Sequence, residues 1–495
     1  MSTDTSNLVK LATGGALWTA VASIGQQLFN FFIYVLLARQ LGPFEFGVVA
    51  IATIFLDILT YIGRLGLTEA LVQRASLDDT STSSAFWFSA GLGVICAAGL
   101  WASAGPIAGY FDSQSLELVV RWLAPVVLFN ALGTVPEALL QRDFGFKALG
   151  IRTLVTTLVG GAVAVVMAFA HYGALSLVAQ RLIAAILLSA ITWHSARWLP
   201  KIKFSASDCA GLLHTGVALA TSSLLAMGNQ RVLDAVIGRL LGAIPLGFLR
   251  IAWRGPEAVQ MLVMRPLAQI SLPLFSRLQT NPARLAAAYI RLSGLTALVV
   301  LPIFSGLILV APEFVEIVFG PQWIPSIPVM QVLLLSVLTM PLIWFKSSLL
   351  IAAGHSRLVL VLNLIEFVLS VTIVGVSCRY GLIGAAWGNV ARTIVATIPI
   401  LWALDRFAAV SWRGLLRSNV PAIISATLMT MVGAVLRGYL PAELRPELKV
   451  VIFGILCCAA YSAILLVFFR HSLMSAIGYL PLPVRKVLGR AGEGA

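Results

Sequence analysis

Arginine inside an apolar helix is the chemistry that stands out in this sequence. From Leu249 to Leu278 the chain reads LRIAWRGPEAVQMLVMRPLAQISLPLFSRL, apolar enough for a membrane helix yet carrying Arg250, Arg254, Glu257 and Arg265. At helical spacing these four share one face. With a rise of about 1.5 Å per residue, that face extends roughly 22 Å, most of a bilayer core. A charge at the centre of a membrane helix costs about 2.5–3.5 kcal/mol on the mildest scale. Three arginines on one face therefore belong in a wet cavity or against other helices.

Other apolar stretches carry charge as well. The cations are Arg181, Arg231, Lys346 and Arg392, and the anions are Asp57, Asp234 and Glu366. Mutual neutralisation accounts for part of the set, since Arg231 with Asp234 and Arg254 with Glu257 are helical i,i+3 pairs. The set as a whole is cationic, however. Arg181, Arg231, Arg250, Arg254, Arg265, Lys346 and Arg392 outnumber Asp57, Asp234, Glu257 and Glu366. An anionic substrate supplies the missing counter-charge. A diphosphate suits the planar fork of arginine, which makes paired charge-assisted bonds. The carboxylates Asp57, Glu257, Asp234 and Glu366 are candidates for binding a proton or a sodium ion as a coupling step. Arg121 and Glu137 lie near span ends, where they can snorkel to an interface.

The elements that position these groups follow from composition. Of 495 residues 59% are hydrophobic and 11% charged, against about 25% charged in soluble domains. This is a polytopic all-α membrane protein. Fourteen spans are expected, at roughly 11–38, 46–63, 85–107, 118–140, 150–170, 174–193, 216–238, 247–274, 290–311, 327–351, 358–377, 382–404, 420–437 and 450–469. No cleavable signal peptide is expected, because the first apolar run is long and lacks a small-residue cleavage site.

The net charge of +14 is explained by loop asymmetry rather than by nucleic acid. Lys10, Arg64, Arg74, Arg142, Lys147, Arg152, Arg197, Lys201, Lys203, Arg277, Arg284, Arg291, Arg357, Arg406, Arg413, Arg417, Arg470, Arg485, Lys486 and Arg490 fall on one side. Arg39, Arg239, Arg379, Arg437, Arg445 and Lys449 fall on the other. The positive-inside rule puts both termini in the cytoplasm.

A parallel repeat is visible. Arg39 to Gly47 and Arg239 to Gly247 share R-x-L-G-x4-G, and Tyr172-Gly173 is matched by Tyr380-Gly381. The first match sets Asp57 and Glu257 at equivalent depth. The reading is a lobe over 1–193, a basic linker over 194–215, a second lobe over 216–404, two extra helices over 405–469, and a cytoplasmic tail over 470–495. Arg437, outside both lobes, is then expected to be dispensable for transport.

No enzyme signature competes. There is no Walker-type phosphate loop, so the chain does not hydrolyse ATP by itself. The five histidines and five cysteines are scattered, so neither a catalytic group, a metal site nor a cofactor is expected. Pro256, Pro266 and Pro273 are expected to loosen or bend their helix.

Four stretches carry a family resemblance. They are Ala38-Arg-Gln-Leu-Gly-Pro-Phe-Glu-Phe-Gly47, Leu272-Pro-Leu-Phe-Ser-Arg-Leu-Gln279, Phe319-Gly-Pro-Gln-Trp323 and Tyr380-Gly-Leu-Ile-Gly-Ala-Ala-Trp387. Through them the chain resembles the Wzx-type polysaccharide flippases of the multidrug/oligosaccharidyl-lipid/polysaccharide exporter superfamily, colanic-acid and succinoglycan exporter branch. The similarity covers most of residues 8–410; the last two spans and the tail are less typical. It implies a bacterial inner-membrane protein with two six-helix lobes forming a V. It also implies movement of an undecaprenyl-diphosphate-linked oligosaccharide from the cytoplasmic to the periplasmic leaflet, with a polysaccharide polymerase and a chain-length regulator as partners. The arginines would hold the diphosphate. Three alternatives stay open. A drug antiporter would want acidic rather than basic cavity residues. A peptidoglycan-precursor flippase would use a similar cationic cavity. A membrane-embedded glycosyl polymerase would usually bring a large outer loop, and the outer segments here are short.

Overall fold

The computed structural model describes residues 23, 25–74, 77–439, 441 and 444–469, and among these every regular element is helical. The start of the first expected span, residues 11–22, and the tail 470–495 lie outside the described residues. In chain order the helices are α1 (25–40), α2 (Pro43–Arg64), α3 (Leu67–Gln73), α4 (Asp79–Ala102), α5 (Ala104–Tyr110), α6 (Gln114–Arg142), α7 (Phe146–Phe169), α8 (Ala174–Ala196) and α9 (Ala206–Leu240). Then come α10 (Ala243–Val259), α11 (Arg265–Leu278), α12 (Pro282–Val318), α13 (Ser326–Leu335), α14 (Met340–Ile343) and α15 (Lys346–Ala352). The last are α16 (Ser356–Leu369), α17 (Gly375–Ser377), α18 (Gly381–Ala408), α19 (Trp412–Tyr439) and α20 (Pro446–Phe468).

Among the described residues, eleven stretches are long and apolar enough to cross a membrane, against the fourteen expected. The longest, Ser356–Ala408, holds 53 residues and turns at Gly381, where φ is +77°. Helices α1 and α9 fall outside the eleven.

Local sequence sets the helix ends. Pro43 opens α2 with Glu45 in its first turn, and Arg64 closes it, matching the helix dipole. Asp78 caps α4 by accepting from the Ser81 backbone N–H at 3.3 Å. A hydrogen bond from the Ser81 hydroxyl holds the exposed Asp78 carboxyl below its ordinary value. Ser205 caps α9 and Asn281 caps α12 in the same way.

Proline chemistry shapes the arginine-bearing segment. Pro266 has no N–H, and its ring crowds the carbonyl one turn earlier. The chain responds with a π-turn over Gln260–Met264, in which the Arg265 N–H reaches back to the Gln260 carbonyl. The helix is thus widened at Pro266 and continues as α11, while Pro256 and Pro273 sit inside α10 and α11.

The chain divides into two compact units, Met1–Arg250 and Ile251–Ala495. In the first, α6 is the hub, packed on α2, α4 and α8, with α7 against α8. Helix α9 lies on α2, α3 and α4, so the division falls beyond the expected linker 194–215. In the second, α12 packs along α13, α19 and α20, and α18 along α13 and α16. Leu301, Leu309, Met429 and Tyr461 form a shared core of α12, α19 and α20, so the last two helices are built into this unit. The two Tyr-Gly turns adopt related backbones, with Gly173 at φ 57°, ψ −132° and Gly381 at φ 77°, ψ −167°. Side chains are rarely tolerated there.

Candidate functional site

In the first unit the charged side chains form a continuous chain across four helices. Arg181 on α8 lies 3.6 Å from Asp57 on α2, which also accepts from Arg231 on α9. Arg231 donates to Asp234 at 3.3 Å, and Arg250 on α10 donates to the same carboxylate at 2.6 Å. Alternation along Arg181, Asp57, Arg231, Asp234 and Arg250 keeps each carboxylate between two guanidiniums. Asp234 is only 5% exposed, while Arg181 is exposed at the open end. Three guanidiniums share two carboxylates, so the cluster carries a net positive charge at partial burial. Such groups attract an anion more strongly than they would in water. Among the described residues the Arg250 Nε is buried without a hydrogen-bond partner.

The second unit holds the remaining predicted residues. Arg254 donates to Glu257 at 3.1 Å, the i,i+3 pair expected from spacing. Arg265 is exposed just after the π-turn and, among the described residues, has no ion-pair partner. Lys346 on α15 pairs with Glu366 on α16, both largely buried. Arg392 of α18 has its guanidinium held by the Asn389 amide oxygen at 3.1–3.2 Å. Arg392 thus rests on a neutral amide, and among the described residues the Asn389 amide nitrogen is buried without a partner.

Two clusters escape sequence reasoning. Glu137 does not snorkel: Arg64 holds it at 2.8 Å and Arg152 at 3.6 Å. Arg152 is 7% exposed and also donates to Thr192 at 2.9 Å. Arg121, by contrast, is exposed beside Glu117 and lies over the Trp101 ring. The second cluster places Arg437, expected to be dispensable for transport, in a structural contact. Arg437 donates to buried Glu313 at 2.6 Å and to the Leu309 carbonyl, tying α19 to α12. A charge in an apolar run was the available signal in both cases, but its partners lie on distant helices.

Apolar helices packed around ion-paired charge clusters within the span are the architecture of a membrane transporter. Solved structures share the fold. The lipid II flippase MurJ in an inward closed conformation superposes with a TM-score of 0.75 at 15% identity, covering 92% of this chain and 100% of that one. An inward-facing MATE multidrug transporter of the MOP superfamily gives 0.62 at 18% identity, covering 78% and 95%.

Residues 36–328, more than half of the chain, match the family described as polysaccharide biosynthesis protein, and the chain belongs to that family. The succinoglycan biosynthesis transport protein ExoT of Rhizobium meliloti (strain 1021) is 26% identical over 66% of this chain and 66% of its own length. The lipopolysaccharide biosynthesis protein WzxC of Escherichia coli (strain K12) is 22% identical over 64% and 65%. The teichuronic acid biosynthesis protein TuaB of Bacillus subtilis (strain 168) is 22% identical over 71% and 73%. The matched stretch spans about two thirds of the length of the first two relatives.

Proposed function

We propose that this protein is a flippase for polysaccharide biosynthesis, carrying an undecaprenyl-diphosphate-linked oligosaccharide from the cytoplasmic to the periplasmic leaflet of a bacterial inner membrane. The observation that carries the reading is the surplus of cations inside apolar helices. Arg181, Arg231 and Arg250 share Asp57 and Asp234, while Lys346 takes Glu366 and Arg392 rests on the neutral Asn389 amide. Exposed Arg265 adds a further positive charge. A diphosphate presents the oxygens that guanidiniums bind in pairs.

The same clusters suggest how a coupling ion acts. Each carboxylate already neutralises a cation, so a proton or sodium ion on Asp57, Asp234, Glu257 or Glu366 frees an arginine or lysine for the substrate. Return of the carboxylate charge then competes the diphosphate away. Lobes over 1–193 and 216–404 rocking in alternating access fit this exchange, with both termini in the cytoplasm. A polymerase and a chain-length regulator would consume the delivered repeat unit.

The test is the leaflet location of lipid-linked oligosaccharide in a deletion strain, read by labelling accessible from the periplasm. Loss of labelled material with accumulation of the cytoplasmic-leaflet intermediate supports the reading. Normal delivery accompanied by drug sensitivity, or lysis from failed wall synthesis, overturns it in favour of an antiporter or a peptidoglycan-precursor flippase.

A further inference from the structure

The segment joining α8 to α9 is stapled to α4 at the level of its first turns. The Lys201 N–H donates to the Ser83 hydroxyl at 3.0 Å and the Ser205 N–H to the Ser84 hydroxyl at 2.8 Å. The Trp87 indole donates to the Lys201 carbonyl at 3.0 Å. The loop is therefore fixed, and it cannot turn its side chains inward. Yet Leu199 is 77% exposed, Ile202 97% and Phe204 60%.

Two further features say what covers these side chains. Tryptophans flank the loop: Trp198 lies 6.1 Å from Trp193, and both pack on Phe86 beside Trp87. Indoles concentrate where hydrocarbon meets headgroups. Positive charge is interleaved with the apolar residues. Arg197 and Lys203 are exposed with no acidic partner among the described residues, while Lys201 is held by Asp79. Large apolar side chains alternating with cations beside tryptophans match the interfacial segments that bind anionic membranes.

We infer that residues 197–204 form an interfacial anchor for anionic lipid on the basic side of the membrane. Leu199, Ile202 and Phe204 enter the acyl boundary, and Arg197 and Lys203 meet acidic headgroups. The anchor adjoins the start of α9, the helix that carries Arg231 and Asp234, so it sets where that helix begins relative to the bilayer. It depends on the membrane-spanning fold alone and holds whatever substrate the protein carries.

The experiment uses the full chain with a nitroxide amino acid at position 202, reconstituted in nanodiscs. Collision with oxygen reports hydrocarbon, and collision with a water-soluble nickel chelate reports solvent. In discs containing phosphatidylglycerol the label is expected to be oxygen-accessible and shielded from nickel, whereas a label at Thr280 in the α11–α12 turn is not shielded. Replacing phosphatidylglycerol with phosphatidylcholine, or introducing Arg197→Gln with Lys203→Gln, is expected to raise nickel access several-fold. A label at 202 as nickel-accessible as the one at 280 overturns the anchor. Equal shielding in phosphatidylcholine overturns the requirement for anionic lipid, and this lipid exchange needs no substitution in the loop.

Discussion

Gly47 lies directly against the backbone of Ala243: a Cβ on Gly47 would run into the Ala243 carbonyl oxygen. The contact is reciprocal, since a Cβ on Gly247 would run into the Pro43 carbonyl oxygen. The last glycine of each R-x-L-G-x4-G copy thus packs on the fifth residue of the other. The two copies clasp each other with the self-complementarity of a two-fold contact. Beyond the far end of α2, Gly66 and Gly216 also pack backbone to backbone, and Asp57 meets Arg231 between the two contacts.

Alanine at Gly47 must push the clasped turns apart. Gly47→Ala and Gly247→Ala are each expected to lower surface polysaccharide several-fold in a complemented deletion strain. Gly91→Ala, where a Cβ meets nothing within 4 Å, is expected to leave it unchanged. Equal export from all three would remove the clasp from the mechanism.

Asp57 and Arg231 are coupled through a partly buried pair. Asp57→Asn leaves Arg231 with Asp234 alone, and Arg231→Gln leaves Asp57 with Arg181. A thermal-stability cycle over both substitutions is expected to give a coupling of about 1–3 kcal/mol. Strict additivity would mean that the pair contributes nothing to the fold.

Arg437→Ala strips buried Glu313, whose second oxygen lacks a partner among the described residues, of its counter-charge. The expected cost is roughly 3 kcal/mol, seen as lower membrane abundance and melting temperature. Glu313→Gln in the same chain should recover most of it, because no uncompensated charge then remains. Normal abundance and melting temperature in Arg437→Ala alone would show that the pair does not hold α19 to α12.

Arg265 has no ion pair to lose among the described residues, so Arg265→Ala should change stability by less than about 0.5 kcal/mol. Its effect is expected on export, and combination with Arg254→Ala should abolish it. Wild-type export from the double variant at normal expression would show that these arginines do not hold the diphosphate.

Composition and hydropathy by themselves determined a multi-pass helical protein, because the cost of exposing backbone and charge to lipid is paid residue by residue. Spacing alone revealed Arg254 with Glu257 and Arg231 with Asp234, since helix geometry fixes which side chains three residues apart meet. The repeat also announced itself through glycines at matching offsets. Only the tertiary structure decided the rest. Arg231 meets Asp57 across 174 residues and Arg437 meets Glu313 across 124. Glu137 is held between Arg64 and Arg152, and Gly47 touches Ala243 rather than lipid. Such pairings depend on the rotation and axial offset of one helix against another, and an apolar pattern constrains neither to the width of a single side chain.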